Sequence, residues 1–130
     1  MITIYIDLAL DFTDGDSLKS VNIKQGETNN GKYIRLSLYN NGEPVDLEGD
    51  EDTRLYGSID GVQVVSNRGC SVYEGKIIIP VMSGENGISS VAGVQHCEVK
   101  ISGLNGSKTV FTPTFDVIVS PAVVSSRMED

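Results

Sequence analysis

The chain has 130 residues, 18 of them acidic and 10 basic, for a formal net charge of −8. That balance is repelled by nucleic-acid phosphates and by anionic membranes, and the bases are scattered, so the composition argues against a nucleic-acid partner. No apolar run approaches the roughly 18 residues of a membrane span, and a chain of this length can bury a core without metals or disulfides.

The chain opens with "MITIYIDLALDF", in which Ile2, Ile4, Ile6, Leu8 and Leu10 alternate with Thr3, Tyr5, Asp7, Ala9 and Asp11. Period two marks a strand with one buried face. The stretch lacks a basic start and carries Asp7, so it does not read as a signal peptide. "DGD" at 14–16 is a turn, "SVNIK" a short strand with Val21 and Ile23 on one side, and "QGETNNG" a loop. "KYIRLSLY" places Ile34, Leu36 and Leu38 inward and Arg35, Ser37 and Tyr39 outward.

Asn41-Gly42 then gives a hairpin turn, because both residues accept positive φ at low cost. In "YNNGEPVDLEG" the turn reverses the chain and Pro44 presets φ, so that Leu47 returns to the core while Asp46 and Glu48 face water. "TRLYGSID" reads as a strand with Leu55 and Ile59 on one face, and "VQVVS" as a weaker one beyond Asp60-Gly61. In "KIIIPVM", Pro80 suits a strand end or an edge.

"GENGISSVAG" is a long connection with Ile88, Val91 and Ala92 as apolar contacts, compatible with a short helical turn. "VQHCEVKIS" puts Cys97, Val99 and Ile101 inward and His96, Glu98 and Lys100 outward. "LNGSK" is a tight hairpin, and "TVFTPTFDVIV" returns with Phe111, Phe115, Val117 and Val119 on one face and Pro113 at a bulge or edge. Seven to eight short strands with regular turn signals and no amphipathic helix predict an all-β sandwich of two antiparallel sheets.

Candidate chemistry is sparse. His96, the one histidine, lies on an outward strand face without a nucleophile and an orienting acid in sequence reach. A dyad with Cys97 fails, because adjacent strand residues point to opposite faces. Two acidic segments, Asp11/Asp14/Asp16 and Asp46–Asp52 (with Glu48, Asp50 and Glu51), gather oxygens of the kind calcium takes, but neither has the spacing of a calcium loop. Solvated loop charge is the simpler account, and no metal ligand is assigned. Of the tyrosines at 5, 33, 39, 56 and 73, one or two could form a surface platform for a sugar; there is no tryptophan. Cys70 and Cys97 match no zinc or redox spacing; they fit either an inter-sheet pair or, as we carry forward, two buried thiols.

Several segments together resemble the N-terminal domain of phage baseplate upper proteins. They are "NIKQGETN" (Lys24 to Asn29 at its core), the corner from Asn41 to Gly49, "GKIIIPV", "VAGVQHCEVKIS" and the closing "TPTFDVIV". Their order and spacing cover residues 2 to 119. One departure is "DEDT" at 50–53, which intervenes before the next strand.

The resemblance implies an immunoglobulin-like antiparallel β-sandwich over residues 1–120. Residues 121–130 would be a polar tail or the start of a linker, since such domains usually continue toward an adhesive or trimerising part. It further implies a virion structural protein, made in the bacterial cytoplasm and placed in the tail baseplate. Its partners would be other tail proteins and a receptor-binding protein, with a homotrimer in the assembly and no membrane insertion. It brings no catalytic residues and no cofactor to these positions. The alternative reading is a carbohydrate- or cell-surface-binding sandwich acting directly on a host envelope.

Overall fold

The computed structural model describes residues 3–14, 19–26, 31–67, 69–84, 87–104 and 107–121. The "DGD" turn beyond Asp14, the tip of the "QGETNNG" loop, the "LNGSK" hairpin tip and residues 122–130 lie outside the described residues. Among these residues eleven strands form two packed sheets. They are β1 (Ile4–Asp11), β2 (Ser20–Lys24), β3 (Lys32–Asn40), β4 (Glu43–Val45), β5 (Asp52–Ile59) and β6 (Val62–Asn67), then β7 (Ser71–Tyr73), β8 (Lys76–Pro80), β9 (Gly93–Leu104), β10 (Lys108–Phe111) and β11 (Phe115–Ser120). One 3-10 turn, Phe12–Asp14, follows β1. The first sheet runs β1-β3-β8-β7 with β4 against β3; the second runs β2-β11-β9-β5-β6 with β10 against β9.

This is the all-β sandwich that the alternation predicts, but its sheets are mixed. β1 pairs with β3 in parallel, and so does β11 with β2. The reason lies in the path. β1 runs down the first sheet, the chain crosses and climbs the second as β2, then crosses back and descends as β3 beside its starting strand. A parallel neighbour needs such a crossover, and here a strand of the opposite sheet supplies it. Sequence alternation reports which face a residue takes, not the direction of a non-local partner.

The count of strands also exceeds seven to eight, because the three-residue β4 and β7 add two and the last expected strand is split into β10 and β11. β4 pairs Pro44 opposite Tyr39 across the Asn41-Gly42 turn. That turn has φ of 51° and 83°, as does, in kind, the Asp60-Gly61 turn at 51° and 80°. β7 hides behind a Glu74-Gly75 turn of the same geometry; glutamate is not among the residues that announce positive φ.

The core matches most of the predicted inward set. Leu8, Leu10, Val21, Ile23, Ile34, Leu36, Leu38, Leu47, Leu55, Cys97, Val99, Ile101, Phe115, Val117 and Val119 are buried. Each large apolar side chain so placed contributes about 1.5–3 kcal/mol relative to exposure. Pro80 closes β8, as its missing N–H requires.

Three residues depart from their expected places. Ile4 is 48% exposed, because β1 is an edge strand and its start overhangs the core. Phe111 is 49% exposed rather than inward: the segment read as one strand is two, split at Thr112–Thr114, and Phe111 pairs with Lys100 on the outer face. Val91 is 41% exposed, whereas Ile88 in the same connection is fully buried. That connection closes by a turn in which Ser90 N–H donates to Gly87 C=O at 3.2 Å.

Candidate functional site

His96 sits on β9 between β5 and β11, with Ser58 and Asp116 as its register partners. Its Nδ1 lies 2.7 Å from Asp116 Oδ1 on the open face of the second sheet. Ser58, Gln63, Glu98 and Tyr56 border a shallow depression beside it. The row Ser58–His96–Asp116 contains the residue types of a triad, but no hydrogen bond joins Ser58 to His96 among the described residues. The geometry is that of a surface hydrogen-bonded pair, with Cys97 turned the opposite way into the core.

The acidic segments resolve into structural contacts. Asp11 accepts from Thr13 Oγ1 at 2.7 Å and from the backbone N–H groups of Thr13, Asn41 and Gly42 at 3.0, 2.9 and 2.8 Å. These donors, the Thr13 hydroxyl foremost, hold its pKa far below the ordinary 3.8. Glu51 accepts from the N–H groups of Glu48 and Gly49, both at 2.8 Å. Burial opposes its ionisation, but those N–H groups outweigh it and its pKa is lowered. The carboxylates therefore fasten loops. Among the described residues no group of three His, Cys, Asp or Glu side chains is arranged to hold a metal ion; Asp16 lies outside them.

Charge is distributed along the sandwich axis. The turns at one end carry Asp11, Asp14, Glu43, Asp46, Glu48, Asp50, Glu51, Asp52 and Glu74. At the other end, where β1 begins and β11 leaves, Ile4, Tyr5, Val62, Val91 and Val94 are exposed. The motif "KQG" is explained there: Gln25 N–H donates to Ser120 C=O (2.8 Å), Gly26 N–H to Ser89 C=O (3.0 Å) and Gln25 Nε2 to Ser90 C=O (3.2 Å). It ties β2 to β11 and to the 87–92 connection.

A surface cluster that sequence patterning did not single out lies on the first sheet. Arg35 on β3 reaches its parallel neighbour Asp7 at 2.5 and 3.1 Å, and its guanidinium stacks 4.2 Å from the Tyr5 ring. Tyr33 follows at 5.8 Å, centroid to centroid. The Arg35 hydrogen bond lowers the pKa of Asp7. Only the β1–β3 register brings these residues together. Among the described residues no helix is long and apolar enough to cross a membrane.

No protein-family model and no curated protein matches the chain. Among solved structures it is similar to the N-terminal domain of phage TP901-1 ORF48, with a TM-score of 0.61 at 19% identity. The alignment covers 92% of this chain and 99% of that one. What the two share is the fold, an all-β sandwich matched across nearly the whole of both.

Proposed function

We propose that the chain is a structural domain of a phage or prophage virion, an adaptor that docks on the tail baseplate and carries host-adhesion parts. The observation that supports this most is the near-complete overlap with the N-terminal domain of a phage protein. The ordered resemblance of five sequence segments to baseplate upper proteins points the same way. So does the site inventory, whose carboxylates and aromatics organise turns and surfaces.

In this reading the partners are other tail proteins and a receptor-binding protein, and a homotrimer is assembled through parts beyond the sandwich. The acidic end would steer docking onto a basic patch. The test is peptide mass mapping of purified particles from the source organism. Peptides of this chain at structural copy number are expected. Their absence from particles, with the protein abundant in the cell, would overturn the proposal.

A further inference from the structure

The two sheets end on β1 and β7 and on β2 and β6, while β4 and β10, three and four residues long, each pair with a single strand. An open edge invites pairing with another chain, and proteins blunt such edges with brevity, bulges or charge. β7 is three residues long. β6 is broken by a register shift opposite Gly57 and Ser58. β2 is short and ends on Lys24. β1 is eight residues long, and its ladder with β3 has no shift.

The hydrogen-bonding parity of β1 follows from one contact. Ile4 N–H donates to Gly31 C=O on the β3 side. Alternate residues of a parallel strand turn both backbone groups to the same neighbour. Ile4, Ile6, Leu8 and Leu10 therefore bond toward β3, and Tyr5, Asp7 and Ala9 face outward. Lys19 agrees with this: its Nζ meets Ala9 C=O from the outer side at 2.5 Å, closing the lower half of the edge. The upper half, at Tyr5 and Asp7, has no backbone partner on that side among the described residues. Apolar surface accompanies it, with Ile4 48% and Tyr5 40% exposed and Ile6 half-buried.

We propose that this upper half of β1 is a self-association edge, where a second copy of the chain adds its own β1 antiparallel and fuses the two sheets into one. The register sets Tyr5 of each copy opposite Asp7 of the other, Ile6 opposite Ile6, and Ile4 opposite Leu8. In this register outward-facing residues exchange hydrogen bonds, the half-exposed isoleucines meet apolar neighbours, and Lys19 keeps its place.

The self-complementary register points to a second copy as the occupant, and the charge distribution accommodates it. Each chain carries a net charge of −8, concentrated at the end remote from Tyr5. An antiparallel pairing centred on Ile6 sends the two acidic ends in opposite directions. Asp7, the one charge at the seam, is already paired with Arg35, so no uncompensated like charges face each other. The inference goes beyond the tail role and stands or falls apart from it.

The test is sedimentation velocity of the full chain over a concentration series, beside Tyr5→Pro. The Tyr5 N–H bonds to nothing within the sheet, so proline there removes a donor only from the proposed seam. The wild type should show a monomer–dimer equilibrium, and the variant should remain monomeric with its cooperative unfolding retained. Backbone amide exchange on the wild type gives a second measurement, needed if the variant does not fold: protection of the Tyr5 and Asp7 amides should rise with concentration. A wild type monomeric to its solubility limit, or a dimer that leaves those two amides unprotected, overturns the proposal.

Discussion

The Asp11 carboxylate accepts from the backbone N–H of Gly42 at 2.8 Å, so the last residue of β1 holds the turn between β3 and β4. The contact spans the parallel pair and secures a reversal whose Asn41 and Gly42 both have positive φ. Asp11→Asn should lower the melting temperature, since a neutral amide accepts these N–H groups more weakly. The folded-state pKa is depressed, so the stability Asp11 adds is fully present above its ordinary value of 3.8 and is lost as pH falls toward the folded value. The gap in melting temperature between wild type and variant should therefore close in acid. A gap that stayed constant would show that the carboxylate charge does not hold the turn.

Gly57 lies on β5 between its register partners Val65 on β6 and Cys97 on β9, all on the inward face of the second sheet. A Cβ there would stand 3.0 Å from Cys97 Sγ and 3.2 Å from Val65 Cβ. Both neighbours are buried, Cys97 fully and Val65 at 1% exposure. Gly57→Ala should cost about 1–3 kcal/mol as overpacking, read from chemical denaturation. The double variant Gly57→Ala with Cys97→Ala should recover part of that loss, because the second change removes the sulfur that the first meets. Additive losses would count against direct contact as the cause.

The inward faces were legible in the sequence because burial is local in period: Ile34, Leu36 and Leu38, or Cys97, Val99 and Ile101, alternate without interruption. Direction and partnership were not, because β1 meets β3 only through a crossover in the other sheet. For the same reason the Asp7–Arg35–Tyr5 cluster had no sequence signature; its members are 28 residues apart at the ion pair. The phenylalanine pattern misled at Phe111 because Thr112, Pro113 and Thr114 interrupt the strand and reset the face. The corner at 39–49 was read correctly, since Asn-Gly and proline act through their own backbone preferences. Its hold on Asp11, thirty residues back along the chain, was not.

Gln95 is fully buried on β9 and anchors the 87–92 connection. Its Nε2 donates to Ile88 C=O at 2.9 Å and to Val91 C=O at 3.2 Å. Gln95→Leu keeps the bulk but leaves two carbonyls without their donor, and should cost about 1–3 kcal/mol. Gln95→Glu should cost more at neutral pH, because a buried carboxylate would face the same carbonyls. Denaturant unfolding checks the order, and amide exchange should show faster opening across residues 88–91 in both variants. Equal stability of Gln95→Leu and wild type would mean that the connection is held by its backbone contacts alone, such as Ser89 N–H to Met82 C=O at 2.8 Å.

Cys70 and Cys97 are free thiols rather than an inter-sheet bond. Burial pushes each up from 9.0 to about 12; the negative charge of Asp116 adds to the effect at Cys97, and backbone hydrogen bonds partly offset it at Cys70. The native thiols thus stay protonated where unfolded ones ionise. Between 9.0 and about 12 the unfolded chain binds fewer protons than the native one, so stability should fall as pH rises through that window. Cys97→Ala should flatten this alkaline loss while lowering stability at neutral pH through the cavity it leaves. At mildly alkaline pH a thiol reagent should modify the folded protein far more slowly than the denatured one, since the thiolate is the nucleophile. Rapid modification of both cysteines in the folded state would show that the two thiols are not shielded by the core.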